Sequence, residues 1–108
     1  MSSERSIVIE TFDWRGITVQ VEYEADWLGA AARGSHLLVS GHLQLRSLVP
    51  DRAPLPVTVT GYRSHFLPMG EVERAGGPVA YATAWLDRMA QSREWKQYEE
   101  GGRQLSLF

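Results

Sequence analysis

The chain has 108 residues, 44% of them hydrophobic and 22% charged, the size and balance of one domain with a single modest core, which excludes a fibrous or low-complexity chain. Eleven basic residues against thirteen acidic leave a net charge of -2, without the basic footprint of non-specific nucleic-acid binding, so no direct nucleic-acid partner is expected. No cysteine is present, which removes disulfides, thiol catalysis and thiolate metal sites, while a charged MSSERSIVIE start and the lack of any apolar run near ~20 residues place the chain in the cytoplasm with no membrane partner.

Residues 6 to 12, SIVIETF, are short and β-branched, and residues 17 to 24, ITVQVEYE, alternate. Ile17, Val19, Val21 and Tyr23 share one face and Thr18, Gln20, Glu22 and Glu24 the other, the pattern of a half-buried strand. Between the two runs, Asp13-Trp14-Arg15-Gly16 predicts a type I turn closing a hairpin. A second Asp-Trp-x-Gly at Asp26 to Gly29 is read as another turn. From Gly34, SHLLVSGHLQLRSLV resumes period two, with Leu37, Val39, Leu43 and Leu45 on one side and Ser40, His42, Gln44 and Arg46 on the other; Gly41 on the apolar side marks a bulge or close packing. After a Pro-rich link over residues 50 to 56, VTVTGYRSHF, with Val57 and Val59 in phase, predicts a fourth strand.

After Pro68 the period changes. Pro78, behind Gly76-Gly77, suits the first turn of a helix, with Val79, Ala82, Leu86, Met89 and Ala90 at helical spacing to cover the sheet. Ser92 caps a second helical piece holding Trp95 and Tyr98, and Gly101-Gly102 is expected to stop it. The expected fold is α+β and two-layered: a four-stranded antiparallel meander followed by one or two C-terminal helices, ββββαα, forming one domain over residues 1 to 102 with a separate tail over 103 to 108.

GYRSHF gathers Tyr62, Arg63, Ser64 and His65, the residue types of acid, base and nucleophile, and an enzyme built on Tyr62, Arg63 and His65 would need a cleft where they converge. On a strand, neighbouring Ser64 and His65 point to opposite faces, which works against a Ser–His couple, so no catalytic residue is assigned and no enzyme is expected. His36, His42 and His65 are the only histidines; the first two lie ~20 Å apart along one strand, too far for one metal, so neither a metal nor another cofactor is expected. Trp14 and Trp27 in turns and Trp85 and Trp95 on helices make no stacking row, and core packing is the expected role.

The last eight residues, GGRQLSLF, put Leu105, Leu107 and Phe108 after two glycines. Gln104-Leu105-Ser106-Leu107-Phe108 resembles at all five positions the pentapeptide by which bacterial replication and repair proteins dock on the DNA sliding clamp. The resemblance implies that Leu107 and Phe108 fill an apolar pocket while Gln104 supplies directional hydrogen bonds. TGYRSHFLP and AWLDRMAQS resemble a small uncharacterised proteobacterial family often carried on plasmids or integrated elements. Two readings follow. Either the protein is an adaptor or modulator in DNA replication, docked on the clamp through residues 104 to 108, or it is a structural or interaction protein of a mobile element whose tail packs on its own domain.

Overall fold

In a computed structural model of the chain, residues 7–25, 40–68 and 70–105 are described, with side chains through residue 101 apart from that of Ser40. The turn at Asp26 to Gly29, the start of the third run at Leu37 and Val39, and Trp27 and His36 lie outside the described residues.

Strands β1 (Ile7–Trp14) and β2 (Ile17–Glu24) pair antiparallel from Ile7↔Glu24 to Trp14↔Ile17. Strands β3 (Ser40–Val49) and β4 (Tyr62–Pro68) complete a single sheet in the order β1-β2-β3-β4. Three helices follow: α1 (Glu71–Ala75), α2 (Pro78–Met89) and α3 (Arg93–Leu105). The protein is therefore α+β, a four-stranded antiparallel meander followed by helices, as the change of period at Pro68 predicts.

The core lies between the sheet and the helices. Val19, Val21, Tyr23, Leu43, Leu45 and Leu67 bury the alternating face, and Val72, Ala82, Trp85, Leu86, Ala90 and Trp95 answer from the helical layer. Trp14, Trp85 and Trp95 are all core residues, which is the role expected of them. Trp14 joins three elements: it ends β1, donates its Nε1–H to Asp87 Oδ1 on α2 at 2.9 Å, and meets the Trp95 ring of α3 at 5.9 Å between centroids.

Three local expectations are corrected, and of the two readings of Gly41 close packing holds and the bulge does not. The first turn is not a type I turn over Asp13–Gly16, because Asp13 and Trp14 both stay in β1; only Arg15 and Gly16 turn, with φ of 50° and 85°. Positive φ at both central positions is the mirror-image turn, whose twist matches that of two antiparallel strands joined by two residues. Gly41 sits in unbroken register opposite Leu67, and its missing Cβ makes room for the Tyr23 ring, 3.0 Å away at Cε1; the register shift falls instead where Val19 pairs with Ser47 and Thr18 with Val49.

The fourth strand begins at Tyr62 rather than Val57. Leu55 and Thr58 exchange backbone hydrogen bonds of 2.8 and 2.9 Å, closing a tight turn around Pro56 that drives Leu55 and Val57 into the core and leaves Val59 83% exposed. Finally, Gly101-Gly102 does not stop α3, which runs to Leu105. The Ser92 cap is present, with Ser92 Oγ accepting from the Trp95 amide at 3.1 Å. Short α1, set between Gly70 and Gly76 at φ 97° and 105°, is an addition to the expected elements. Among the described residues no helix is long and apolar enough to cross a membrane.

Candidate functional site

The predicted partner-binding segment begins at the end of α3. Gln104 and Leu105 are the last two residues of that helix, while Ser106, Leu107 and Phe108 lie outside the described residues. What fixes α3 to the domain lies two turns earlier. Trp95 is 8% exposed in the core, the Tyr98 ring lies tilted against it at 5.1 Å between centroids, and Glu99 meets Arg15 of the hairpin turn at 3.1 Å. The Arg15 guanidinium also lies 4.8 Å from the Trp14 ring centre, so the turn residue with positive φ orients a cation toward α3. Arg15 and Glu99 are partly exposed, so this ion pair orients the helix more than it stabilises it.

Beside this anchor runs a groove of about 380 Å³ between the Pro54–Val59 turn and the first two turns of α3. Its walls are the prolines Pro54 and Pro56, the valines Val57 and Val59, and the rings of Trp95 and Tyr98. The groove forms where the Leu55–Thr58 turn closes on itself instead of extending β4, while Ser92 caps α3 alongside it. Trp95 Nε1 is buried without a hydrogen-bond partner, although a buried indole N–H ordinarily finds one. Sequence reading missed this groove, since its two walls are forty residues apart; the signal within reach was the Pro-rich link followed by an aromatic pair at i, i+3.

The sheet separates the residues that GYRSHF brings together in sequence. Tyr62 lies on the face away from the helices, donating to Gln44 Oε1 at 2.8 Å beneath the Arg46 guanidinium. Arg63 and His65 lie on the helix side around Trp85, with the His65 ring 4.5 Å and the Arg63 guanidinium 5.6 Å from its centre. Arg63 also donates to the Val57 carbonyl at 2.9 Å, which holds the groove's turn against β4. Tyr62 and His65 thus face opposite sides of the sheet and share no cleft.

Strand pairing makes a couple that adjacency conceals. Ser64 Oγ lies 2.6 Å from His42 Nε2 across the β3–β4 ladder, with Phe66 against the imidazole at 4.5 Å and Glu24 of β2 opposite His42 in register. Finding it from the sequence needs the β3–β4 register, which no local pattern carries. Among the described residues no cluster of His, Asp and Glu is disposed to hold a metal ion.

Both described histidines have pKa values pushed below the usual 6.5. For His42 burial is the main cause, partly offset by the carboxylates of Glu24 and Glu22; for His65 burial is reinforced by the Arg63 charge. Each is thus held neutral in the fold, whereas the unfolded chain takes up protons from about pH 6.5 downward, so these histidines withdraw stability as pH falls through that window. The expected result is a lower urea midpoint at pH 5.5 than at pH 7.5, with the loss reduced in His65→Phe. Equal midpoints at the two pH values would contradict it. Tyr23 shows the opposite shift, up to about 12, through burial and its hydrogen bond to Glu73 at 3.0 Å; it therefore favours the fold below pH 10 and ceases to do so as pH rises from 10 towards 12.

No curated protein and no solved structure matches the chain. A family model, the KlcB third domain, covers residues 8–95, from the start of β1 to the Trp95 anchor of α3. That span holds the whole sheet, α1, α2 and the groove's turn, and the chain belongs to the KlcB third-domain family.

Proposed function

We propose that the protein is a binding module that docks on the bacterial DNA sliding clamp through Gln104, Leu105, Ser106, Leu107 and Phe108, the α+β domain acting as adaptor or modulator in DNA replication rather than as an enzyme. The observation that carries this reading is the position of the five-residue match. It lies beyond the family-matched span that ends at residue 95 and beyond the α3 side chains that anchor to the core, Trp95, Tyr98 and Glu99.

The physics of docking is compatible with this placement. Gln104 and Leu105 occupy the final turn of α3, where carbonyl groups lack intrahelical partners, so releasing them into an extended peptide costs little. Leu107 and Phe108 supply apolar anchors and Gln104 a side chain that both donates and accepts. So short a segment, ordered on binding, is expected to give roughly micromolar affinity. The cytoplasmic location expected from the sequence is where such a partner would be met.

The test is surface plasmon resonance of the full chain on immobilised clamp, with Leu107→Ala and Phe108→Ala as variants. Each is expected to weaken binding at least tenfold while leaving the melting temperature within about 1 °C, as for a site remote from the core. Absence of binding by the unaltered chain, or a large fall in melting temperature in either variant, would count against the reading.

A further inference from the structure

We propose that the polar pocket where β3 ends and β4 begins is a binding site for a single nucleotide, with Arg46 and Arg52 serving its phosphate and the Tyr62 ring its base. The pocket holds about 410 Å³ and is lined by Arg46, Asp51, Arg52, Thr60, Gly61 and Tyr62. That volume falls within the ~300–1,000 Å³ of small-molecule sites. It shares no residue with the groove beside α3 or with residues 104 to 108, so it stands apart from the clamp reading.

The loop after β3 makes one wall of the pocket. Arg52 turns there with φ of 61°, its amide donating to the Ser47 carbonyl at 3.3 Å, while Ser47 Oγ donates to the Ala53 carbonyl at 2.6 Å. On the other side, a Cβ at Gly61 would lie 2.6 Å from the Arg52 backbone, so the two segments are in direct contact. Glycine, asparagine and aspartate adopt left-handed backbone more readily than arginine, and residues held in such conformations cluster at binding sites. Arg15, also at positive φ, places its side chain against Glu99 and Trp14. Arg52 takes part in no ion pair among the described residues.

Arg46 supplies the second cation. It faces Tyr62 in the β3–β4 register with its guanidinium 5.6 Å from the ring centre, and it too takes part in no ion pair among the described residues. Two guanidinium groups against the one carboxylate of Asp51 leave the pocket an excess of one positive charge, in a chain whose net charge is -2. The planar fork of arginine matches paired phosphate oxygens. Tyr62 is tethered by its hydroxyl to Gln44 Oε1 at 2.8 Å yet is 42% exposed, so it offers a base a ring already held in place. Asp51 adds an acceptor for a sugar hydroxyl.

Cations, ring and acceptor in one pocket match the three parts of a nucleotide, whereas a bare anion has no use for the ring. The positive charge is also local. Glu22 and Glu24 of β2 stand opposite Gln44 and His42 on the same sheet face, which denies an extended polyanion a continuous track and leaves room for one nucleotide.

The test titrates adenosine 5′-monophosphate into the isotope-labelled full chain and follows the backbone amides by NMR. Saturable shifts are expected at Arg46, Arg52, Thr60, Gly61 and Tyr62, with a dissociation constant on the order of 0.1 mM. Adenosine alone and inorganic phosphate alone are each expected to bind at least tenfold more weakly. Arg46→Gln and Arg52→Asn, the second chosen because asparagine tolerates the left-handed backbone, should each weaken nucleotide binding at least fivefold and leave the melting temperature within about 2 °C. Absence of saturable shifts, shifts centred elsewhere, or indifference to both substitutions overturns the proposal. So does inorganic phosphate binding as tightly as the nucleotide, which would make the pocket a plain anion site. A single-stranded hexanucleotide binding more than a hundredfold tighter overturns it as well, by making the occupant a strand. No clamp is present in any arm, so failure here is distinct from failure of clamp docking.

Discussion

Leu45→Ala is expected to lower the free energy of unfolding by about 3–4 kcal/mol, measured by urea denaturation at pH 7.5. Leu45 is 0% exposed at the centre of β3, paired with Val21 on one side and Arg63 on the other, and its neighbours are held by two ladders of hydrogen bonds. A sheet so tied collapses poorly around a void, so the lost transfer energy and the cavity term both apply. For a domain of this length the change corresponds to a fall in melting temperature of roughly 15 °C or more, a large part of the 5–15 kcal/mol that holds a typical domain together. A loss under 1 kcal/mol would mean that the sheet and helical layer do not pack as described.

Gly61→Ala should cost a similar amount for a different reason. Gly61 has φ +77°, and a Cβ there would lie 2.6 Å from both Cα and C of Arg52. Those are backbone atoms and cannot rotate away. Left-handed strain of about 1–2 kcal/mol thus adds to an overpacking term of about 1–3 kcal/mol. Yielding would also disturb the bond from Ser47 N–H to the Gly61 carbonyl, 2.8 Å long, and with it the loop that carries Leu55 and Val57 into the core. Gly77→Ala is the control: φ is +117°, yet nothing stands within 4 Å of its Cβ position, so strain acts alone and the loss should be distinctly smaller. Equal losses at both sites would show that Arg52 does not press on Gly61.

The contrast between these glycines illustrates what a sequence can express. The sheet was legible because Val19, Val21, Leu43 and Leu45 alternate with polar residues and burial imposes that period directly. Pro78 and Ser92 announced the helix starts because each offers a local solution to unpaired N–H groups. Val57 and Val59 alternate as well, but the Leu55–Thr58 turn, closed by its own backbone bonds and braced by Arg63, outcompetes strand pairing there. Five-residue α1 is too short to establish a period and is defined by left-handed glycines on either side. Gly101-Gly102 was read as a stop, yet α3 continues, since glycine disfavours a helix without forbidding it. Of the candidate sites, the tail was visible as a string of letters. The groove and the Ser64–His42 couple depend on which distant segments become neighbours, and no window of sequence contains that.

The way α3 is attached has a consequence for how the molecule opens. Strands β2 and β3 are flanked by strands on both sides and bury their apolar face in the core, whereas among the described residues α3 is held by one buried indole, a phenol tilted against it and a partly exposed ion pair with the hairpin. Native-state hydrogen exchange should therefore fall into two tiers. Amides of β2 and β3 should exchange only through global unfolding, while those after Trp95 should exchange through a smaller excursion with a shallow dependence on denaturant. Raising the ionic strength should speed the second tier and leave the first nearly unchanged, because screening loosens Arg15 from Glu99 without reaching the buried side chains. The helix that ends in Gln104 and Leu105 would then be a separately melting unit, able to detach while the sheet remains folded.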